Sequence, residues 1–196
     1  ATALHETAHP SSVNYYLTNV PNTFEQTNEW YLDRASSTVY YIPENINIDP
    51  ESIVAYAPML DHLINIHSTD IRIRNLELTC TTGDYASTVP HFKGADHTTE
   101  YGGDIQSVCW APGAIRFENS KQCLISDCYI HGVGIHGIEV NTGCSNIRID
   151  NNIIKDTCAG GIKIFGGAAN EAEEKLTHNC IIRTNEISDC GKRYEA

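Results

Sequence analysis

Asp156 and Asp189 are two acidic residues at the same position of a repeated segment, each followed by small residues. If successive repeats stack as neighbouring strands, their carboxyl groups lie about 5 Å apart. At that separation one carboxylate can attack a glycosidic carbon while the other, kept protonated by its neighbour, donates a proton. The pair is therefore our candidate for nucleophile and general acid. The alternative is that both aspartates are turn residues that hydrogen-bond their own backbone.

Glu139 is a third candidate acid, and with Asp156 it could form the wider carboxylate pair of an inverting mechanism. It lies between Arg116 and Lys163 in a predicted surface row, beside a second row formed by Glu118, Asn141 and Phe165. In such a row the two cations could position a sugar. The alternative is a solvated ladder of alternating charges, in which each cross-strand pair contributes about 0.2–1 kcal/mol.

Other polar and aromatic side chains could contact a saccharide. His131 and His136 flank the turn before Glu139, and Arg193 follows Asp189. A long segment rich in Gly, Thr, His and Asp holds three further rings that could stack on sugar faces, namely Tyr85, Tyr101 and Trp110.

A zinc site is a weaker hypothesis. Cys128, His131, His136 and Cys144 have suggestive spacing, but no Cys-x-x-Cys pair is present and extended segments alternate sides. We therefore expect neither a metal nor a cofactor.

A seven-residue phrase recurs four times and predicts the elements that position these residues. The copies begin 52, 24 and 33 residues apart. They are Asp70–Leu76 (DIRIRNL), Gln122–Cys128 (QCLISDC), Asn146–Asn152 (NIRIDNN) and Asn179–Asn185 (NCIIRTN). A unit of just over twenty residues with insertions is typical of one coil of a solenoid.

The repeat predicts an all-β, right-handed parallel β-helix with low helix content. Residues 1–60 form a lead-in with a hairpin, Trp30–Leu32 and Thr38–Ile42, and residues 61–196 form the coils. Long insertions interrupt them at residues 81–112 and 166–177. Asn152 and Asn185 should form an amide ladder at one turn. By the repeat a further strand should follow Tyr194, so we expect the coil to be cut at this point, and an open coil end would invite self-association.

The composition narrows the range of functions. A net charge of −12 argues against nucleic acid as a partner, and no apolar run is long enough to cross a membrane. The eight cysteines show no dense spacing, so most are expected to be free, stacked thiols.

Several segments resemble carbohydrate-active β-helix proteins of the pectate-lyase-like superfamily. They are Glu29–Arg34 (EWYLDR), Thr38–Pro43 (TVYYIP), Ala114–Asn119 (AIRFEN), Asp156–Ile162 (DTCAGGI), Phe165–Gly167 (FGG) and Ile187–Tyr194 (ISDCGKRY). The resemblance extends over most of residues 28–196. It implies a glycoside hydrolase acting on xylosides, galactosides or fucosides, with its groove on the sheet of Arg116, Glu139 and Lys163. Ala168 departs from the pattern, because relatives often carry an acid there.

Three functions follow from these observations. The first is a glycoside hydrolase acting on an oligo- or polysaccharide through Asp156 and Asp189, with Glu139 as the third candidate acid. Arg116, Lys163, Arg193 and the aromatic residues would then position the sugar. The second is a polysaccharide lyase with Lys163 as base and an arginine that stabilises the anion. The third is a non-catalytic structural or glycan-binding solenoid, such as a surface or fibre subunit.

Overall fold

The computed structural model describes residues 19–83, 91–93, 100–102, 111–167 and 170–193. Its contacts divide the chain into two units, with the boundary between Ala55 and Tyr56. In the described part, no helix is long and apolar enough to cross a membrane.

The first unit contains an antiparallel hairpin of β1 (Trp30–Asp33) and β2 (Thr38–Tyr41), as predicted. Trp30 pairs with Tyr41, and Tyr31 pairs and stacks with Tyr40, their ring centroids 6.2 Å apart. Cross-strand aromatic pairs of this kind stabilise a hairpin. Two short 3₁₀ helices, Pro21–Thr23 and Pro50–Ser52, flank it.

The second unit is a parallel β-helix, which confirms the predicted fold class. Its coils contribute strands to three parallel four-stranded sheets. The first sheet contains β3 (Ile64–Ile66), β8 (Gly113–Phe117), β11 (His136–Val140) and β14 (Ile162–Ile164). The second contains β4 (Arg72–Arg74), β9 (Leu124–Ser126), β12 (Arg148–Asp150) and β15 (Ile181–Arg183). The third contains β5 (Glu77–Thr79), β10 (Tyr129–Val133), β13 (Ile153–Thr157) and β16 (Glu186–Ser188).

Both insertions contain short elements. The strands β6 (His91–Lys93) and β7 (Glu100–Gly102) pair antiparallel within the first insertion. In the second insertion, the backbone forms a 3₁₀ turn, Glu173–Lys175. These insertions account for the unequal steps between copies of the phrase.

Aliphatic side chains from successive coils stack inside the solenoid. Ile125 lies in register with Ile149, and Ile130 with Ile154, and all four are buried. In the last described strand of each sheet, which pairs on one side only, the corresponding aliphatics are half exposed: Ile164 (44%), Ile182 (42%) and Ile187 (47%).

Left-handed backbone at the turns explains the recurring phrase. Its first residue has a positive φ in all four coils, at Asp70, Gln122, Asn146 and Asn179. Its sixth residue does as well, at Asn75, Asp127, Asn151 and Thr184. Among non-glycine residues, Asn and Asp adopt this conformation most readily. The phrase is therefore a short strand held between two left-handed corners.

Two Gly-Ile pairs, Gly137-Ile138 and Gly161-Ile162, lie at the start of β11 and β14, where there is no room for a side chain on the glycine. A Cβ atom on Gly137 would lie 2.7 Å from the carbonyl oxygen of Gly161, and one on Gly161 would lie 2.5 Å from Ile187 Cγ2. Both distances are shorter than van der Waals contact.

Candidate functional site

Arg116, Glu139 and Lys163 lie in register on β8, β11 and β14, with Asn65 of β3 next to Arg116. Their side chains occupy the positions that alternate with the inward aliphatics Ile115, Ile138 and Ile162. The first sheet therefore brings these three predicted residues together on one face.

Glu139 is a buried carboxylate with contacts at both oxygens, its residue being only 4% exposed. Its Oε2 accepts a hydrogen bond from the backbone N–H of Gly113 (3.1 Å) and lies 3.4 Å from Arg116 Nε. Its Oε1 lies 3.0 Å from Lys163 Nζ, which also donates to the carbonyl of Ala111. A buried carboxylate is tolerated only with such compensation.

Glu118 is an acidic residue of this face that sequence reasoning did not propose as functional. Arg116 Nη2 lies 3.2 Å from its Oε1, so one guanidinium bridges Glu118 and Glu139. His67 Nδ1 lies 3.7 Å from its Oε2, and the amide of Asn141 donates to Oε1 (3.5 Å). The Glu118 carboxylate is more exposed than that of Glu139. Its place in the second predicted row, beside Arg116 and Glu139, was the sequence feature that could have marked it as a site residue.

Asp156 and Asp189 occupy a third left-handed corner, at the end of the third sheet. Lys155 pairs with Ser188, so the next residues, Asp156 and Asp189, are neighbours in adjacent coils. Both have positive φ, as have Cys80 and Gly132 in the preceding coils. The same backbone position thus carries cysteine, glycine or aspartate in different coils, and what its four occupants share is the left-handed backbone of a turn.

The carboxylate of Asp156 is paired with a cation. Its Oδ1 lies 2.7 Å from Lys192 Nζ, and this hydrogen bond raises the pKa of Lys192. Among the described residues, no hydrogen bond or ion pair joins Glu139 to Asp156 or Asp189. The three candidate acids therefore lie at two separate places, one on the first sheet and one at the end of the third.

The two candidate histidines lie on different sheets. His136 is buried on β11, where its Nδ1 accepts a hydrogen bond from the N–H of Gly160 (2.9 Å). His131 is on β10, stacked on Tyr129 with ring centroids 4.2 Å apart. Its Nε2 lies 2.9 Å from Glu77 Oε1.

The remaining predicted contact residues are dispersed. Arg193 donates to the carbonyl of Gly83 (3.3 Å). Tyr101 is in β7, but its side chain, like the whole of Tyr85 and Trp110, lies outside the described residues.

The cysteines of the described ranges are free thiols, seven in number. Burial raises the pKa of Cys128, Cys158 and Cys180, and that of Cys144 to about 11. Within these same ranges no three His, Cys, Asp or Glu side chains converge as metal ligands.

Comparison with known proteins supports the fold. The profile of the family described as "Right handed beta helix region" matches residues 101–192. Together with the three parallel sheets, this match supports an all-β fold of the right-handed parallel β-helix class.

One curated relative is the pre-neck appendage protein of Bacillus phage B103, which is 30% identical over 113 residues. The alignment covers 53% of this chain and 12% of the relative, so the chain spans only a small part of that protein. No solved structure matches.

Proposed function

We propose that this chain is a non-catalytic, glycan-binding structural solenoid of a surface appendage. The single observation that carries the proposal is the state of Glu139, the only candidate acid on the predicted groove sheet among the three we singled out. Both of its oxygens are engaged, by Arg116, Lys163 and the N–H of Gly113. A carboxylate held in this way joins three strands of its sheet and is poorly placed to attack or to protonate a substrate.

The turn geometry of the other two acids supports the same function. The backbone requirement at that corner accounts for Asp156 and Asp189 without chemistry, and Lys192 neutralises Asp156. The phage relative is named as an appendage protein, and this name supports a structural role for the solenoid. Outward groups such as Glu118 and Asn141 can hydrogen-bond sugar hydroxyls without cleaving a bond.

Incubation with polysaccharides tests the proposal. The purified chain is applied to a glycan array and, separately, incubated with a xylan, a galactan, a fucosylated polysaccharide and a polyuronate. Either cleavage creates new reducing ends; reducing ends without ultraviolet absorbance report hydrolysis, and absorbance of a new double bond reports elimination, which requires a uronate. We expect glycan binding without either product.

Three results would overturn the proposal. Reducing ends that vanish in both Asp156→Asn and Asp189→Asn would establish the retaining hydrolase instead. An unsaturated product that depends on Lys163 would establish a lyase. A complete lack of glycan binding would also contradict the proposed function.

A further inference from the structure

The outward face of the second sheet is basic, although the whole chain has a net charge of −12. It carries four of the chain's seven arginines. At the positions that alternate with the inward Ile73, Ile125 and Ile149, one row is Arg72, Leu124, Arg148 and Ile181, and the other is Arg74, Ser126, Asp150 and Arg183. The four arginines are exposed, whereas Leu124, Ser126 and Asp150 between them are buried. We call these two rows the arginine face.

Asp150 shows how the arginine face binds a carboxylate. Arg183 holds it in a fork, with Nε 3.2 Å from Oδ1 and Nη2 3.2 Å from Oδ2. Arg148 Nη2 donates to Oδ2 from the same strand. Two-point contacts between guanidinium and carboxylate are strong and directional. One half of the face therefore already contains a bound carboxylate, supplied by the chain itself.

The other half of the arginine face, on β4 and β9, contains two arginines but no carboxylate at the position that Asp150 occupies on β12. Ser126 stands one coil before Asp150 at the same register position, and it is uncharged. On its far side lie Arg72 and Arg74 of β4, both exposed. Among the described residues, no ion pair engages either arginine. The nearby Asp127 accepts a hydrogen bond from the amide of Asn151 (2.7 Å), and this bond is the main cause that lowers the pKa of Asp127. The charge of Arg74 adds a smaller contribution in the same direction.

We infer that the arginine face binds an acidic polysaccharide, whose carboxylates lie beside Arg72, Arg74 and Arg148 as Asp150 lies beside Arg183. This inference rests on the proposed glycan-binding function and names the ligand class and the surface. Arg72 and Arg148 are two coils apart, roughly 10 Å, and Arg72 and Arg74 are two residues apart along a strand. An extended chain with a carboxylate on alternate sugars can reach several of these guanidinium groups at once.

The binding of labelled hyaluronan oligosaccharides, measured by fluorescence anisotropy at low and physiological salt, tests the inference. Hyaluronan carries one carboxylate per disaccharide, and its carboxyl-reduced form is a neutral ligand of the same length. We expect the acidic form to bind more tightly, with an affinity that falls with salt because exposed charges are screened. Replacing Arg72 and Arg74 together by glutamine should weaken binding about tenfold, since hydrogen bonds to charged groups are lost.

Two variants provide the controls. Lys155→Gln with Lys175→Gln removes the same charge from positions outside the second sheet, and we expect it to leave binding unchanged. Asp150→Asn releases Arg148 and Arg183 from their internal carboxylate, and we expect it to tighten binding. Equal weakening by both double variants would overturn the inference, because net charge alone would then explain the effect. Equally tight binding of single-stranded DNA of matched charge would overturn it too.

The outcomes separate this inference from the proposed function. If the chain binds neutral and acidic glycans equally, and Arg72 and Arg74 do not matter, the arginine face is refuted while the glycan-binding solenoid stands. If no glycan binds in either assay, both are refuted.

Discussion

Lys163 Nζ lies 3.0 Å from Glu139 Oε1, and the two residues stand side by side on neighbouring strands of the first sheet. Arg116 contacts the same carboxylate from the other neighbouring strand. Removing one member of such a buried cluster leaves an uncompensated charge. We therefore expect Glu139→Gln to lower the free energy of unfolding by about 3 kcal/mol, as measured by urea denaturation.

A double replacement separates charge from packing in this cluster. Glu139→Met combined with Lys163→Met removes both charges of the pair and fills similar volume, so it should recover much of the loss. Unaltered stability in Glu139→Gln would show that the carboxylate contributes nothing to the fold and would remove the main support for a structural role.

The left-handed backbone at Asp156 determines which substitutions at this position should destabilise the fold. With φ at 53°, this residue is in the left-handed region, and Gly132 occupies the same position one coil earlier. Asp156→Val should therefore cost about 1–2 kcal/mol of folding stability, whereas Asp156→Gly should cost little. Thermal unfolding followed by circular dichroism measures both.

Lys192→Gln is the control for the Asp156 variants, because it removes the ion pair without changing the corner. Equal losses in the valine and glycine variants would mean that the carboxylate itself, and not the backbone, explains why an aspartate stands there.

Asn152 connects three coils through its side-chain amide and confirms the predicted amide ladder. It accepts from the N–H of Cys128 (3.0 Å) and donates to Asn185 Oδ1 (2.9 Å) and to the carbonyl of Ile125 (3.3 Å). Asn152 is buried, so Asn152→Leu leaves the backbone N–H of Cys128 without its partner and also removes the hydrogen bonds to Asn185 Oδ1 and to the carbonyl of Ile125. We expect a loss of about 3 kcal/mol in the free energy of unfolding.

Asn185→Leu provides the comparison for Asn152→Leu. Asn185 is only partly buried, so water can replace the hydrogen bonds that it donates. Its loss should be clearly smaller than that of Asn152→Leu, and the reverse order would contradict the assignment of the ladder.

The solenoid could be predicted from the sequence because stacking repeats one physical requirement in every coil. The left-handed corners at Asp70 and Asn146 and the inward Ile73 and Ile149 all recur at fixed spacing. The same alignment contained the arginine face, since Arg72 and Arg148 share one position of the phrase. The net charge of the whole chain does not reveal this face, because the excess of acidic residues elsewhere hides the local cluster of arginines on one sheet.

The environment of Glu139 could not be predicted in the same way. Its burial depends on the N–H of Gly113, 26 residues earlier, and on a lysine that also reaches Ala111. Ala111 and Gly113 lie at the end of a long insertion without a repeat, so no spacing rule places them. A row of alternating charges therefore looked like an exposed surface, whereas its central member is buried.

The Cys144 thiol makes the stability of the fold dependent on pH in the alkaline range. Burial raises its pKa from 9.0 to about 11, so the folded chain holds this proton more tightly than the unfolded chain. The contribution to stability is complete below pH 9 and is lost as the pH rises through 11. Urea denaturation at pH 8, 9 and 10 should show a falling free energy of unfolding, and Cys144→Ala should show a shallower fall.

The pKa values of Cys128, Cys158 and Cys180 are raised as well, so the Cys144→Ala variant should keep part of the slope. An identical slope in both proteins would mean that Cys144 ionises as readily in the folded chain as in the unfolded one.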